Sequence, residues 1–136
     1  MKNVFADTQG WIALNHKRDQ FHKQAVTIKK QILKQGGKFI TTNFVLDETY
    51  TLLQARLSHK AAMEFGKIVQ NSSSITVIRI TEEIEEEAWH LFEKYSDKQF
   101  SFTDCTSFSV MQKHGLSDAY TNDHHFEQMG FSILLK

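Results

Sequence analysis

Short apolar runs alternate with amphipathic helical patterns along this chain, and that alternation restricts its fold more than any other feature. Asn3 to Ala6, Lys38 to Thr41, Ile75 to Ile80, Ala119 to Thr121 and Phe131 to Leu135 read as strands. Thr8 to Leu14 reads as helical, and a longer helix runs from Asp19 to about Gln35, with Phe21, Ala25, Ile28 and Ile32 on one face. Gly36-Gly37 stops it. Thr42 or Asn43 caps a helix reaching about Leu57, and Ser58 caps another with Ala61, Ala62, Phe65, Ile68 and Val69 inward. Thr81 caps a fifth, with core stripe Ile84, Ala88, Leu91, Phe92 and Tyr95. One more opens at Thr103 and ends near His114-Gly115, and Asn122 or Asp123 caps a short last one. Strands and helices in this order build a mostly parallel sheet covered on both faces. Ligands of such sheets bind beyond the carboxyl ends of the strands, near a switch in strand order.

Length and composition narrow the class. The 136 residues fit one domain spanning 1–136, with no repeat, linker or low-complexity segment. No apolar run approaches the ~20 residues of a membrane span, and the apolar part of the N-terminus is too short for a signal peptide. The single cysteine, Cys105, excludes an internal disulfide framework and fits a reducing cytoplasm; it reads as packing, not as a nucleophile. Net charge is zero, but it is unevenly spread. Lys2, Lys17, Arg18, Lys23, Lys29, Lys30, Lys34 and Lys38 crowd the first part, whereas Glu82, Glu83, Glu85, Glu86, Glu87, Glu93 and Asp97 crowd the fifth helix and its end. The basic segment is a candidate for steering a polyanion backbone, and two solvated helix faces of opposite sign explain the pattern equally well.

Most acids sit on polar helix faces; four do not. Asp7 ends the first strand, and Asp123 lies just past the Ala119–Thr121 strand. On a helical wheel, Asp104 in Ser101-Phe102-Thr103-Asp104-Cys105 falls between Phe108 and Met111, on an apolar stripe. Glu48 lies among Phe44, Val45, Leu52 and Ala55, while its neighbour Asp47 faces Thr51 and Gln54 on the solvent side. Burying a carboxylate without a partner is costly, and two unit charges 4 Å apart repel by about 4 kcal/mol at an effective dielectric of 20. A cluster of the four would need cations or protons. All-oxygen ligands suit Mg²⁺ or Mn²⁺, and Mg²⁺ keeps waters and is completed by substrate phosphates. The chemistry this points to is metal-assisted attack of water on a phosphodiester, with one or two metals.

At these positions the chain resembles the PIN domain family, in particular the VapC-type ribonuclease toxins of toxin–antitoxin pairs. The segments that carry the resemblance are Val4-Phe5-Ala6-Asp7-Thr8 with Trp11-Ile12-Ala13-Leu14, Thr41-Thr42-Asn43-Phe44-Val45-Leu46-Asp47-Glu48, Ser101-Phe102-Thr103-Asp104-Cys105 and Thr121-Asn122-Asp123-His124-His125-Phe126. They follow the family's order and spacing almost end to end. The resemblance implies a three-layer α/β/α sandwich around a central, mostly parallel five-stranded sheet. It implies a Mg²⁺- or Mn²⁺-dependent endoribonuclease, active on RNA, whose acidic quartet maps onto Asp7, Glu48, Asp104 and Asp123 as metal ligands and catalytic groups. Thr8 and Thr103 would be supporting hydroxyls, and the family also implies a homodimer and a partner antitoxin. Gln9 stands where the family often has a small residue.

Other readings fit less well. A haloacid-dehalogenase-type phosphatase needs a second Asp two residues after the first, and that position is Gln9. A response-regulator receiver needs a further acidic pair and a late lysine. Seven histidines invite a zinc reading, but no H-E-x-x-H or Cys-His spacing exists. His124 and His125 diverge by about 100° in a helix and read as surface or substrate-facing rather than as shared ligands. The alternative from a different class is a PIN-like RNA-binding or protein-interaction module without turnover, which would keep the fold and lose an acid.

Overall fold

The computed structural model describes residues 2–136; Met1, the first residue of the expected domain, lies outside them. In chain order, the elements are β1 (Val4–Ala6), α1 (Thr8–Asn15), α2 (His22–Lys34), β2 (Phe39–Thr42), α3 (Asn43–Arg56) and α4 (His59–Asn71). They continue with β3 (Ile75–Ile78), α5 (Glu82–Lys94), α6 (Phe102–Lys113), β4 (Asp118–Tyr120), α7 (His124–Gln128) and β5 (Ser132–Ile133). The five strands form one sheet in the order β3-β2-β1-β4-β5. Every pairing is parallel, with Val4 opposite Phe39, Phe5 opposite Ala119 and Ala6 opposite Tyr120.

The chain thus steps from β1 outward to β3, then returns to the far side of β1 for β4 and β5. Right-handed crossovers running in opposite directions put their helices on opposite faces. The aromatic contacts agree. On one face, Trp11 of α1 lies 5.4 Å from Phe39 and 5.2 Å from Phe65 of α4, and Phe39 lies 5.0 Å from Tyr120. On the other, Phe5 meets Phe126 of α7 at 6.3 Å, and Phe126 meets Phe108 of α6 at 5.0 Å. The result is the expected α/β/α sandwich, with an all-parallel sheet.

The caps at Thr42, Ser58 and Thr81 are as expected, each hydroxyl accepting a backbone N–H from three residues on. Several boundaries moved. The second helix begins at His22, not Asp19, because Asp19 Oδ1 accepts the Phe21 N–H in a turn that precedes it. β3 stops at Ile78, two residues short of Ile80, whose N–H donates to Asn43 Oδ1. Ile68 and Phe92, both expected inward, are 55% and 40% exposed. α6 begins at Phe102 rather than Thr103, for a reason that belongs to the site.

The order β2-β1-β4 places the switch in connection direction at β1. The carboxyl ends of β1 and β4 therefore open into a crevice where a ligand is expected.

Candidate active site

Asp7 follows β1 directly and is the N-cap of α1. Its N–H donates to Tyr120 O of β4 at 3.3 Å, so the strand pairing continues up to it. Its side chain is almost fully buried, and Oδ2 accepts a hydrogen bond from Thr121 Oγ1 at 2.9 Å. Asp123 is the N-cap of α7, its Oδ1 accepting the His125 N–H at 2.9 Å. Asp104 comes from the opposite layer. Ser101 and Asp104 form a reciprocal capping box: Ser101 Oγ accepts the Asp104 N–H at 2.9 Å, and Asp104 Oδ2 accepts the Ser101 N–H at 3.1 Å.

That box explains why α6 starts at Phe102, and why Asp104 is buried. The apolar-stripe reading was a poor guide here, because α6 is buried on every side from Asp104 to Met111, including Thr106, Ser107 and Ser109. Asp104 reaches the crevice by pointing back past the helix N-terminus, as side chains near a helix start do.

Glu48 departs from expectation in burial. The core face of α3 is Val45, Leu46, Thr49 and Leu53. Glu48 is exposed, like Asp47, and the stripe it shares with Leu52 borders the site instead of the core. What separates the two acids is direction. A cavity of about 230 Å³ is lined by Asp7, Glu48, Asp104 and Asp123, together with Gln9, Leu52, Gln99, Ser101 and His125. Asp47 is absent from it.

The two threonines lie beside this cavity, not on it. Thr8 is buried, its hydroxyl donating to Val45 O at 3.3 Å and accepting from Thr49 Oγ1 at 3.2 Å. It ties α1 to α3. Thr103 is half-buried in the first turn of α6, and its carbonyl accepts Thr106 Oγ1.

His125, read as surface or substrate-facing, stands on the cavity wall, and its contact with Asp104 was not expected. Among the described residues, Asp104, Asp123 and His125 each offer one ligand atom within 4.8 Å of the others. His125 Nδ1 lies 3.1 Å from Asp104 Oδ2 and 3.5 Å from Asp123 Oδ1, whereas His124 turns outward to Glu127. The divergence of the two rings was legible from helical spacing. The signal overlooked was an N-cap aspartate two residues before a histidine, a spacing that holds the histidine backbone against the cap. Gln99, also on the cavity wall, adopts the left-handed conformation with φ 62°, which is uncommon outside glycine.

The electrostatics follow from this packing. Burial, followed by the charges of Asp104 and Asp123, pushes the Asp7 carboxyl up to about 7, against the lowering effect of the Thr121 hydrogen bond. Burial and the Asp123 charge also raise Asp104, against the lowering effects of the Ser101 N–H and His125. Cys105 is fully buried with its thiol pushed up to about 11, so it packs and does not react.

Carboxylates that raise one another's affinity for protons are stabilised by positive charge placed between them. The donor set suits a divalent cation. Asp104 and Asp7 each have Oδ2 bonded to a protein donor, and Asp123 has Oδ1 bonded, so each retains an oxygen that accepts no protein donor in these bonds. Three carboxylates each offering an oxygen, with Glu48 lining the same cavity, suit a hard ion such as Mg²⁺ or Mn²⁺.

Comparison with known proteins shows the family to which the chain belongs. The PIN domain model matches residues 4–132. The 23S rRNA-specific endonuclease VapC20 of Mycobacterium tuberculosis is 37% identical over 128 residues, covering 94% of this chain and 95% of the relative. The crystal structure of that sarcin–ricin-loop-cleaving toxin superimposes with a TM-score of 0.84 at 35% identity, over 94% of this chain and 95% of the other. FitAcB from Neisseria gonorrhoeae, at 15% identity and a TM-score of 0.65 over 96% of this chain and 95% of its own, shares the fold.

Proposed function

The chain belongs to the PIN domain family, and from that premise we propose how its acidic crevice cuts RNA. It is an endoribonuclease of the VapC toxin type, from a toxin–antitoxin system. We assign it the target of its Mycobacterium tuberculosis relative, the sarcin–ricin loop of 23S ribosomal RNA, and an antitoxin that holds it inactive. We also assign it a homodimeric state, the whole chain of residues 1–136 acting as one domain. No helix among the described residues is long and apolar enough to cross a membrane.

The observation that carries the mechanism is the single cavity bordered by Asp7, Glu48, Asp104 and Asp123. Asp7, Asp104 and Asp123 would hold one or two divalent cations, Mg²⁺ or Mn²⁺, through the oxygens left free of protein donors. Such an ion, when bound, makes water more acidic and offsets negative charge gathering on the phosphate. The side chains do the rest. Thr121, Ser101 and His125 hold the aspartates in fixed orientations, so little reorganisation is needed as charge develops. Glu48, exposed on the cavity rim, has the freedom to orient the attacking water and accept its proton. Water adds to phosphorus, the bond to one ribose oxygen breaks, and that oxygen leaves with a proton as an alcohol.

The test is cleavage of a sarcin–ricin-loop RNA hairpin with Mg²⁺ or Mn²⁺, beside EDTA and the Asp7→Asn and Asp104→Asn variants. Cleavage should need the metal and fall at least a hundredfold in either variant. Undiminished cleavage in EDTA, or by either variant, would sink the mechanism.

A further inference from the structure

His125 sits inside the cavity with no part in that mechanism beyond its contact to Asp104. Its ring is fixed from three directions. Asp123 Oδ1 accepts the His125 backbone N–H, which sets where the residue starts. Phe100, buried just before the α6 cap, meets the ring edge-on at 5.4 Å and 75°. Nδ1 lies 3.1 Å from Asp104 Oδ2.

The hydrogen-bond inventory decides the tautomer. An ionised carboxylate only accepts, and Asp104 Oδ2 already accepts the Ser101 N–H at 3.1 Å. Nδ1 must therefore carry the hydrogen and donate it. Nδ1, the ring nitrogen that faces both Asp104 Oδ2 and Asp123 Oδ1, then has no lone pair for a metal; the remaining lone pair is on Nε2, across the ring from these two oxygens, so the cluster of Asp104, Asp123 and His125 does not present Nδ1 as a ligand.

We propose that His125 is a positioning residue: its Nδ1–H, together with the Ser101 N–H, pins Oδ2 of Asp104 and thereby reserves Oδ1 of Asp104 for the cation. The two donors come from different elements, α7 and the start of α6. With the Ser101 bond alone, the carboxylate can pivot about the oxygen it shares with its own helix cap. With both, rotation about the Asp104 side chain breaks one bond or the other. Outer donors of this kind, when removed, typically cost tenfold to a hundredfold in metal affinity or activity.

The assignment rests on the metal reading above, and the experiment separates the two. Mn²⁺ binding to the 136-residue chain is measured by titration calorimetry, and RNA cleavage by kcat and KM, for wild type and for His125→Ala, His125→Asn and His125→Gln. An asparagine amide can stand near Nδ1, whereas a glutamine amide reaches the position of Nε2. His125→Ala and His125→Gln should weaken Mn²⁺ binding about tenfold to a hundredfold and lower kcat with little change in KM. His125→Asn should recover most of both. Should His125→Ala fail to fold, the comparison of the Asn and Gln variants carries the same decision. Pulsed electron paramagnetic resonance of the Mn²⁺-loaded wild type should show no directly bonded nitrogen.

Wild-type Mn²⁺ affinity in all three variants would overturn the role of His125 and leave the metal reading standing. A Mn²⁺–nitrogen coupling lost in His125→Ala, with no rescue by Asn, would make it a ligand and overturn the positioning role. No Mn²⁺ binding by the wild type would overturn both.

Discussion

Asp7 is the residue where structure and function pull hardest against each other. Its native carboxyl sits at about 7 against an ordinary 3.8, from burial first and neighbouring charge second. The sign follows directly. Between those values the folded protein holds a proton that the unfolded chain has lost. The native state is thus favoured in full below about 4, and that advantage disappears as pH rises to 7. At about 1.4 kcal/mol per unit, the metal-free protein loses up to a few kcal/mol over this window. Asp7→Asn removes the titration and keeps a side-chain oxygen that can accept the Thr121 hydroxyl. In EDTA, the variant should melt higher than wild type at pH 8, and the difference should vanish near pH 4. Mn²⁺ should raise the wild-type Tm at pH 8, and Asp7→Asn should blunt the rise. Equal melting of the two proteins at pH 8 would mean that Asp7 is not charged against its surroundings.

At the same scale, Asp7 and Asp123 were legible because strand ends fall where a sheet presents its ligands. Asp104 was found for a weaker reason than the right one. A wheel drawn on a helix buried all round has no true stripe, and the informative pattern was Ser101 followed three residues later by Asp104. Glu48 was placed by the same wheel in the core, and it stands on the cavity wall. His125 was invisible to any periodicity, since its role depends on Asp104 and Phe100 arriving from a distant stretch of chain.

Among the elements, α1 and α6 bring the site together, and each depends on one small residue. α1 lies against β4 at Gly10, where a Cβ would stand 2.0 Å from Tyr120 O and 2.6 Å from the Tyr120 ring. The obstacle includes backbone, which cannot swing aside. Gly10→Ala gains about 1 kcal/mol of helix propensity and must still push α1 off the sheet, so a net loss of about 1–3 kcal/mol is expected. The urea midpoint reads it, and an unchanged midpoint would show that α1 can slide. Because Asp7 begins α1, Mn²⁺ binding should weaken as well. Ser101→Ala removes one half of the capping box at the other wall. It should cost about 1 kcal/mol and change Mn²⁺ affinity little, because the Ser101 backbone N–H that holds Asp104 Oδ2 remains. Neither glycine packing nor a cap's second bond is visible in hydrophobic pattern, which is why helix positions were foreseen better than these contacts.

At the scale of the whole molecule, alternation of strands and helices predicted the layers, but not the order β3-β2-β1-β4-β5. That order depends on which crossover of chain folds over which face, and it decides where charges end up. The lysines between residues 17 and 38 were candidates for steering RNA. Lys29 and Lys30 in fact border a separate apolar groove of about 460 Å³ that reaches Phe39, Ser74 and Ile75, at the amino ends of β2 and β3. The acids lie beyond the carboxyl ends. A strand of four residues spans about 13 Å, more than the roughly 10 Å over which charges act through 0.1 M salt. Lys29 and Lys30 therefore have no lever on RNA at the cavity. Replacing both with alanine should leave kcat/KM for a sarcin–ricin-loop hairpin within about twofold of wild type, and the steepness of its decline with salt unchanged. If each lysine touched phosphate, the salt slope would fall by about one per lost contact. A shallower slope in the double variant would mean that the RNA wraps round to the amino end of the sheet.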